Sequence, residues 1–166
     1  MAYMKQHGFT LIEVLVATAI IGFIGAGLAV ALGQVINVNA ISNNRVVAVK
    51  QVENAAYWLN RDVRMSQVVE TADGSGFPLN LSWVEWNNTT CQVSYTLTNN
   101  QLQRSISVNG TQPLTMTVAQ HISGSPDDTL CQYSNGIFNL KLTASVGGFR
   151  PASETRFAQV TPRSAQ

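Results

Sequence analysis

The run Gly8-Phe9-Thr10-Leu11-Ile12-Glu13 places a single carboxylate at the mouth of a long apolar segment, since no charged residue follows it from Val14 to Asn44. An ionisable side chain at the edge of a lipid-soluble stretch is costly and needs a partner or a function. On one helix Glu13 lies four residues from Phe9 and shares its face. The chemistry open to it is electrostatic, and attraction between opposite charges grows as the surrounding dielectric falls. Lys5 is the only charged side chain ahead of Phe9.

Other constellations lead nowhere catalytic. His7 and His121 are the only histidines and there is no Cys-x-x-Cys, so a zinc site has too few ligands. No serine sits in Gly-x-Ser-x-Gly, and no Walker-type phosphate loop is present. Asp127-Asp128, with Asp73 or Glu154, is the one candidate for calcium, and a solvated acidic turn is the better explanation of it. No enzyme, cofactor or resident metal is expected. A net charge of +1 provides no basic field, so no specific nucleic acid is expected as a partner. Trp83 and Trp86 differ by three and in a strand would face opposite ways, one into a core and one outward as a contact surface. Asn80-Leu81-Ser82, Asn88-Thr89-Thr90 and Asn109-Gly110-Thr111 match glycosylation acceptors, as chance allows in a chain rich in Asn and Thr.

The elements that position these residues follow from periodicity. From Phe9 to Val38 apolar residues cover every side, as in a helix surrounded by lipid or by other helices. Leu11 to Val35 is long enough to span a bilayer. The pattern then becomes amphipathic: Ile41, Ala48, Val52, Ala56, Leu59 and Val63 recur at helical spacing, with Arg45, Lys50, Glu53, Asn60, Asp62 and Arg64 on other faces. No proline occurs before Pro78, so the helix is expected to continue to about Glu70, where Gly74-Ser75-Gly76 stops it. About 60 residues at about 1.5 Å each make a rod of roughly 90 Å. Beyond Pro78 the period is two. Leu79–Trp86, Cys91–Thr98 and Gln101–Val108 read as consecutive hairpin strands. Leu114 to Val118 and Phe138 to Val146 alternate likewise, and Thr155–Val160 reads as a last strand. Asn87-Asn88, Asn99-Asn100, Asn109-Gly110 and Gly147-Gly148 are the turns. The fold class is α+β: a long N-terminal helix packed on one antiparallel sheet.

A short basic leader, Gly8, Phe9, and an apolar helix with Glu13 at its fifth position resemble the N-terminus of type IV pilins and pseudopilins. The resemblance is close over about the first 30 residues. It implies cleavage of the leader after Gly8 by a prepilin peptidase and N-methylation of Phe9. It also implies that Glu13 sets the axial offset between subunits, by meeting the amino group of a neighbour's Phe9 in a filament. Leu59-Asn60-Arg61-Asp62-Val63-Arg64 and Val160-Thr161-Pro162-Arg163 resemble segments of minor pilins and J-type pseudopilins. Val30 stands where many major pilins have proline, a departure that weakens a major-pilin assignment. Gly22, Gly25, Gly27 and Gly33 suit close helix packing, local melting on leaving the membrane, or simple tolerance in lipid.

The implied organisation is a leader over 1–8, a transmembrane and filament-core helix over 9–38, and a globular domain over 39–166. The implied function is a structural subunit, more minor than major, of a type IV pilus or of a secretion or competence pseudopilus. Its partners would be other pilins, the prepilin peptidase, an inner-membrane assembly platform and membrane lipid. It would reside in the inner membrane before assembly, then in a periplasmic or extracellular filament. Two other readings compete for the N-terminus. A cleaved secretory signal ending at Ala29-Val30-Ala31 is opposed by Glu13 and by the length of the uncharged run. A plain single-pass anchor bearing a binding module is the alternative function, and it leaves Glu13 without a purpose. In an exported domain the even pair Cys91 and Cys131 favours one disulfide, contributing roughly 4 kcal/mol in the chain-entropy treatment.

Overall fold

Thr10 starts the first element. Its hydroxyl lies 3.4 Å from the Glu13 amide N–H, while Glu13 Oε2 accepts from the Thr10 amide at 2.9 Å. This reciprocal pair is a capping box, the Thr-x-x-Glu device that satisfies the free donors of a first turn. Helix α1 follows over Leu11–Met65. The computed structural model describes residues 9–148 and 150–163. The chain divides into two units, Met1–Ala40 and Ile41–Gln166. In the first, α1 is unbroken through Gly22, Gly25, Gly27 and Gly33, and nothing approaches these glycines.

α1 stops earlier than its spacing suggested. The Ser66 hydroxyl donates to the Val63 carbonyl at 2.7 Å, and the Ser66 amide donates to Asp62 and Val63 carbonyls. These bonds close the last turn, and the Gln67 amide then donates to the Ser82 carbonyl in a sheet. The residues after it become strand β1, Val68–Thr71, rather than a further helical turn. Two adjacent β-branched residues, Val68 and Val69, suit that change.

The second unit holds two antiparallel sheets where one was expected. The larger is a meander of β1, β2 (Leu79–Val84), β3 (Thr90–Thr98), β4 (Gln101–Val108) and β5 (Leu114–Ala119). The smaller joins β6 (Leu130–Ser134), β7 (Ile137–Val146) and β8 (Ala152–Val160). Asn99 and Asn100 have φ of 50° and 60° between β3 and β4. Two residues of positive φ form the mirror-image turn that matches strand twist, and Asn tolerates it better than most residues. Asn135-Gly136 makes the same kind of turn between β6 and β7, with φ of 52° and 77°.

The core lies where α1 meets the inner faces of both sheets. Ala48, Val52, Ala55, Ala56, Leu59 and Val63 are the buried apolar residues of α1. They pack with alternate strand residues such as Leu79, Leu81, Val93, Tyr95, Phe138, Leu140 and Leu142. Ile41, the first residue of the expected stripe, stays exposed. Small alanines on α1 let backbone and sheet approach closely, while the larger residues fill the space from the sheet side. Trp83 is buried and Trp86 is 93 % exposed, the opposite fates expected for the pair.

Candidate functional site

The candidate site is the N-terminal segment itself. From Phe9 to Val38 its large apolar side chains are exposed, Phe9 at 88 % and Leu11 at 84 %. The most apolar 18 residues of α1 average a hydropathy of 2.4 with none of that surface buried. Among the described residues α1 is the one helix long and apolar enough to cross a membrane. A continuous apolar surface of this size is unfavourable in water and is suited to lipid or to other helices.

Glu13 is the only charged residue described on this surface. Its Oε2 accepts from the Thr10 hydroxyl as well as the Thr10 amide, both at 2.9 Å. A negative charge in a first turn also favours the positive end of the helix dipole. Glu13 thus has a role inside its own chain that the sequence reading overlooked, although Thr10-x-x-Glu13 was a legible signal for it. Because this role serves any helix start, Glu13 alone does not separate a filament subunit from a plain anchor. Phe9 is placed one residue before the cap; Gly8 lies outside the described residues.

Residues 3–29 match the family model of the prokaryotic N-terminal methylation motif. This is the leader of type IV pilins and pseudopilins. The match spans the junction of Gly8 and Phe9, Glu13 and the first part of α1, and it ends well before the second unit. With the long apolar helix and antiparallel sheets, the arrangement is α+β and like that of type IV pilins. Proteins bearing this motif are processed by a prepilin peptidase, held in the membrane by the apolar helix and assembled with other pilins as structural subunits. No curated protein and no solved structure matches the chain.

Within the second unit, a buried polar cluster fixes α1 to the larger sheet. Asp62 Oδ2 accepts from the Tyr95 hydroxyl at 2.5 Å and from Arg104 Nε at 2.6 Å, and Oδ1 accepts from Arg104 Nη2 at 3.2 Å. Its spacing sets Asp62 off the apolar stripe of α1 among charged neighbours, yet it is 1 % exposed. Register explains the convergence, since Tyr95 on β3 stands opposite Arg104 on β4, both pointing inward. Trp58, one turn before Asp62, lies under the Arg104 guanidinium at 4.9 Å and near Arg61 at 5.2 Å. Burial works against the Arg104 charge, but the hydrogen bonds and charge of Asp62 outweigh it and raise its pKa. Burial, and then the Asp62 charge, push the Tyr95 hydroxyl far up, so it stays a neutral donor. The cluster has no opening for a substrate and is a structural clamp.

The structure leaves the expected Cys91–Cys131 bridge unformed: both are free, buried thiols. They belong to different sheets. Cys91 stands opposite Trp83 and Val108. Cys131 packs against the loop before β2, its amide donating to the Ser75 carbonyl at 3.0 Å. Its carbonyl oxygen would lie 2.0 Å from a Cβ on Gly76, whose φ of 82° also demands glycine. Burial raises both thiol pKa values, that of Cys131 strongly. Thiolate is the reactive form. Native protein at pH 8 is therefore expected to resist iodoacetamide at both positions, with two thiols labelled only after unfolding. Rapid labelling of the native chain, or linked peptides in a nonreduced digest, contradicts this packing.

Of the candidate calcium pair, the Asp128 carboxylate and the Asp127 backbone carbonyl accept hydrogen bonds. Asp128 Oδ2 accepts from the Ser123 hydroxyl at 2.8 Å, and the Asp127 carbonyl accepts from Lys141 Nζ at 2.5 Å. Among the described residues no three His, Cys, Asp or Glu side chains converge as a metal site.

Proposed function

We propose that the chain is a minor structural subunit of a type IV pilus or of a type II secretion or competence pseudopilus. It is cleaved after Gly8, methylated at Phe9 and assembled through helix α1. The observation that carries this reading is the methylation motif over residues 3–29 coinciding with a helix whose apolar side chains are exposed among the described residues. Processing frees an α-amino group on Phe9, four residues from Glu13. Between neighbours that amino group and the Glu13 carboxylate form the pair that fixes axial register. Such pairs give register more dependably than they give stability. The role is structural rather than enzymatic, and the partners are other pilins, the peptidase, an assembly platform and lipid.

The capping box supports one other reading, a single-pass anchor carrying a binding module, because it gives Glu13 work that needs no neighbour. Intact mass of the membrane-extracted protein separates the two. The subunit is expected to lack Met1–Gly8 and to carry one added methyl group. A complete, unmethylated chain in a cell with a working prepilin peptidase supports the anchor instead.

A further inference from the structure

The outer face of the larger sheet is unusual in its uniformity. Along β2, β3 and β4 the residues turned from the core are almost all hydroxyls and amides. Register aligns them in rows. Asn80, Ser94 and Ser105 stand opposite one another across three strands, and Ser82, Gln92 and Ser107 make the next row. Strands lie about 4.8 Å apart, and same-face residues along a strand about 6.7 Å apart. The two rows floor a shallow cavity of about 390 Å³.

The groups in this cavity differ in how they are satisfied. On the β4 side the Ser105 hydroxyl bonds Thr115 at 2.7 Å, and Ser107 donates to the Thr111 carbonyl at 2.7 Å. The Ser82 and Ser94 hydroxyls and the Asn80 and Gln92 amides have no side-chain partner among the described residues. Four groups able both to donate and to accept are therefore presented together. Ser82 and Ser94 are half-buried, so the floor is partly shielded from water.

The same lining excludes other ligand classes. Glu70 is the only charged residue in it, and no Lys or Arg is present. Phosphate or nucleic acid requires cations. Protein interfaces centre on aromatic and large apolar residues with Arg; here Leu81 and Val93 lie buried beneath the floor, and the apolar residues beside the rows are Val68 and Pro113. A neutral, polyhydroxylated ligand matches instead, since each of its hydroxyls also donates and accepts. Trp86, in the β2–β3 turn beyond the cavity lining, is 93 % exposed. A tryptophan combines a flat apolar surface with one polar N–H, which suits stacking on the C–H face of a sugar ring.

We propose that this face binds a neutral oligosaccharide, seated across Asn80, Ser82, Gln92 and Ser94. The inference is independent of how the chain is processed or assembled.

The test uses full-length protein in phosphocholine micelles, whose headgroups carry no sugar, on an array of immobilised neutral, sialylated and sulfated oligosaccharides. Wild type is expected to bind neutral probes saturably. Asn80→Ala with Gln92→Ala removes two exposed amides and is expected to weaken binding at least about tenfold, at roughly one net hydrogen bond each. Thr98→Ala, two residues beyond Thr96 on the same face, is expected to leave binding unchanged. Thermal melting identifies loss through unfolding; Ser94→Ala serves in place of the double variant if that variant melts low, with a smaller drop expected. Binding to no neutral probe, binding to anionic probes alone, or full binding by the folded amide variant overturns the proposal.

Discussion

Asp62→Ala is expected to destabilise the second unit by about 3–5 kcal/mol, the usual cost of stripping one partner from a buried ion pair. The loss exceeds that of the interactions removed. Arg104, 6 % exposed, would be left as an uncompensated buried charge, and the Tyr95 hydroxyl would lose its acceptor. A marginally stable domain rarely has more than 5–15 kcal/mol in total, so the change approaches unfolding. The readout is urea denaturation of the full chain in micelles by tryptophan fluorescence. All three tryptophans, Trp58, Trp83 and Trp86, lie in the second unit, so the signal reports on it alone. Asp62→Asn keeps an acceptor but not the charge and should cost less. Replacing the trio together, as Asp62→Leu, Tyr95→Phe and Arg104→Met, should recover much of the loss, because no buried charge remains. A loss below about 1 kcal/mol for Asp62→Ala would show that water reaches the cluster and that it behaves as a surface pair. By contrast Arg156 with Glu53 and Arg45 with Glu154, both partly exposed, should each matter little.

The same cluster carries a pH dependence of definite sign. Tyr95 titrates above its ordinary value of 10.0 in the folded chain. The unfolded chain therefore gives up this proton first. Its contribution is fully present below about pH 10 and is lost as pH rises through the folded value. Tyr95→Phe should flatten the alkaline limb of stability.

Asp62 also marks a limit of what the sequence could reveal. The run Leu59 to Arg64 looks like a charged helix face when residues are sorted by type, and only the pairing of β3 with β4 brings a buried cation to it. Leu102, Arg104 and Ile106 did share one alternating face, which placed an arginine inward without naming its partner. Strands with clean alternation were legible: Gln101–Val108 has the expected bounds, and Thr90–Thr98 differs from expectation by one residue. Val68–Thr71 was absorbed into the helix because nothing before Gly74 breaks it, and the cap at Ser66 depends on a side-chain bond that propensity does not show. Leu130–Ser134 has one buried residue, Cys131, and no alternation to detect. Without that strand the last two runs had nothing to mark them as a separate sheet. The N-terminal segment was legible because its message is composition and order, not tertiary contact.

That segment allows charge to be separated from helix capping. Glu13→Gln is expected to leave the helix start intact, since Gln at the same position completes the Thr10 capping box as Glu does. Its side-chain oxygen still accepts from the Thr10 amide, replacing the bond that Glu13 makes at 2.9 Å. What Gln cannot do is attract the amino group freed on a neighbour's Phe9. The variant should therefore be processed, reside in the membrane and keep a normally folded second unit, whose core residues all lie at Ala48 and beyond. Its share in sheared filaments, quantified by immunoblot against whole cells, is expected to fall at least about tenfold, as loss of a charge pair at a docking step implies. Thr10→Ala provides the converse: it loses the hydroxyl half of the cap and keeps the carboxylate, so incorporation should fall far less. Filaments containing wild-type amounts of processed Glu13→Gln would reject the charge pair and leave the capping box as the function of Glu13. Poor incorporation of Thr10→Ala with normal incorporation of Glu13→Gln would point the same way, to a helix start whose order matters more than its charge.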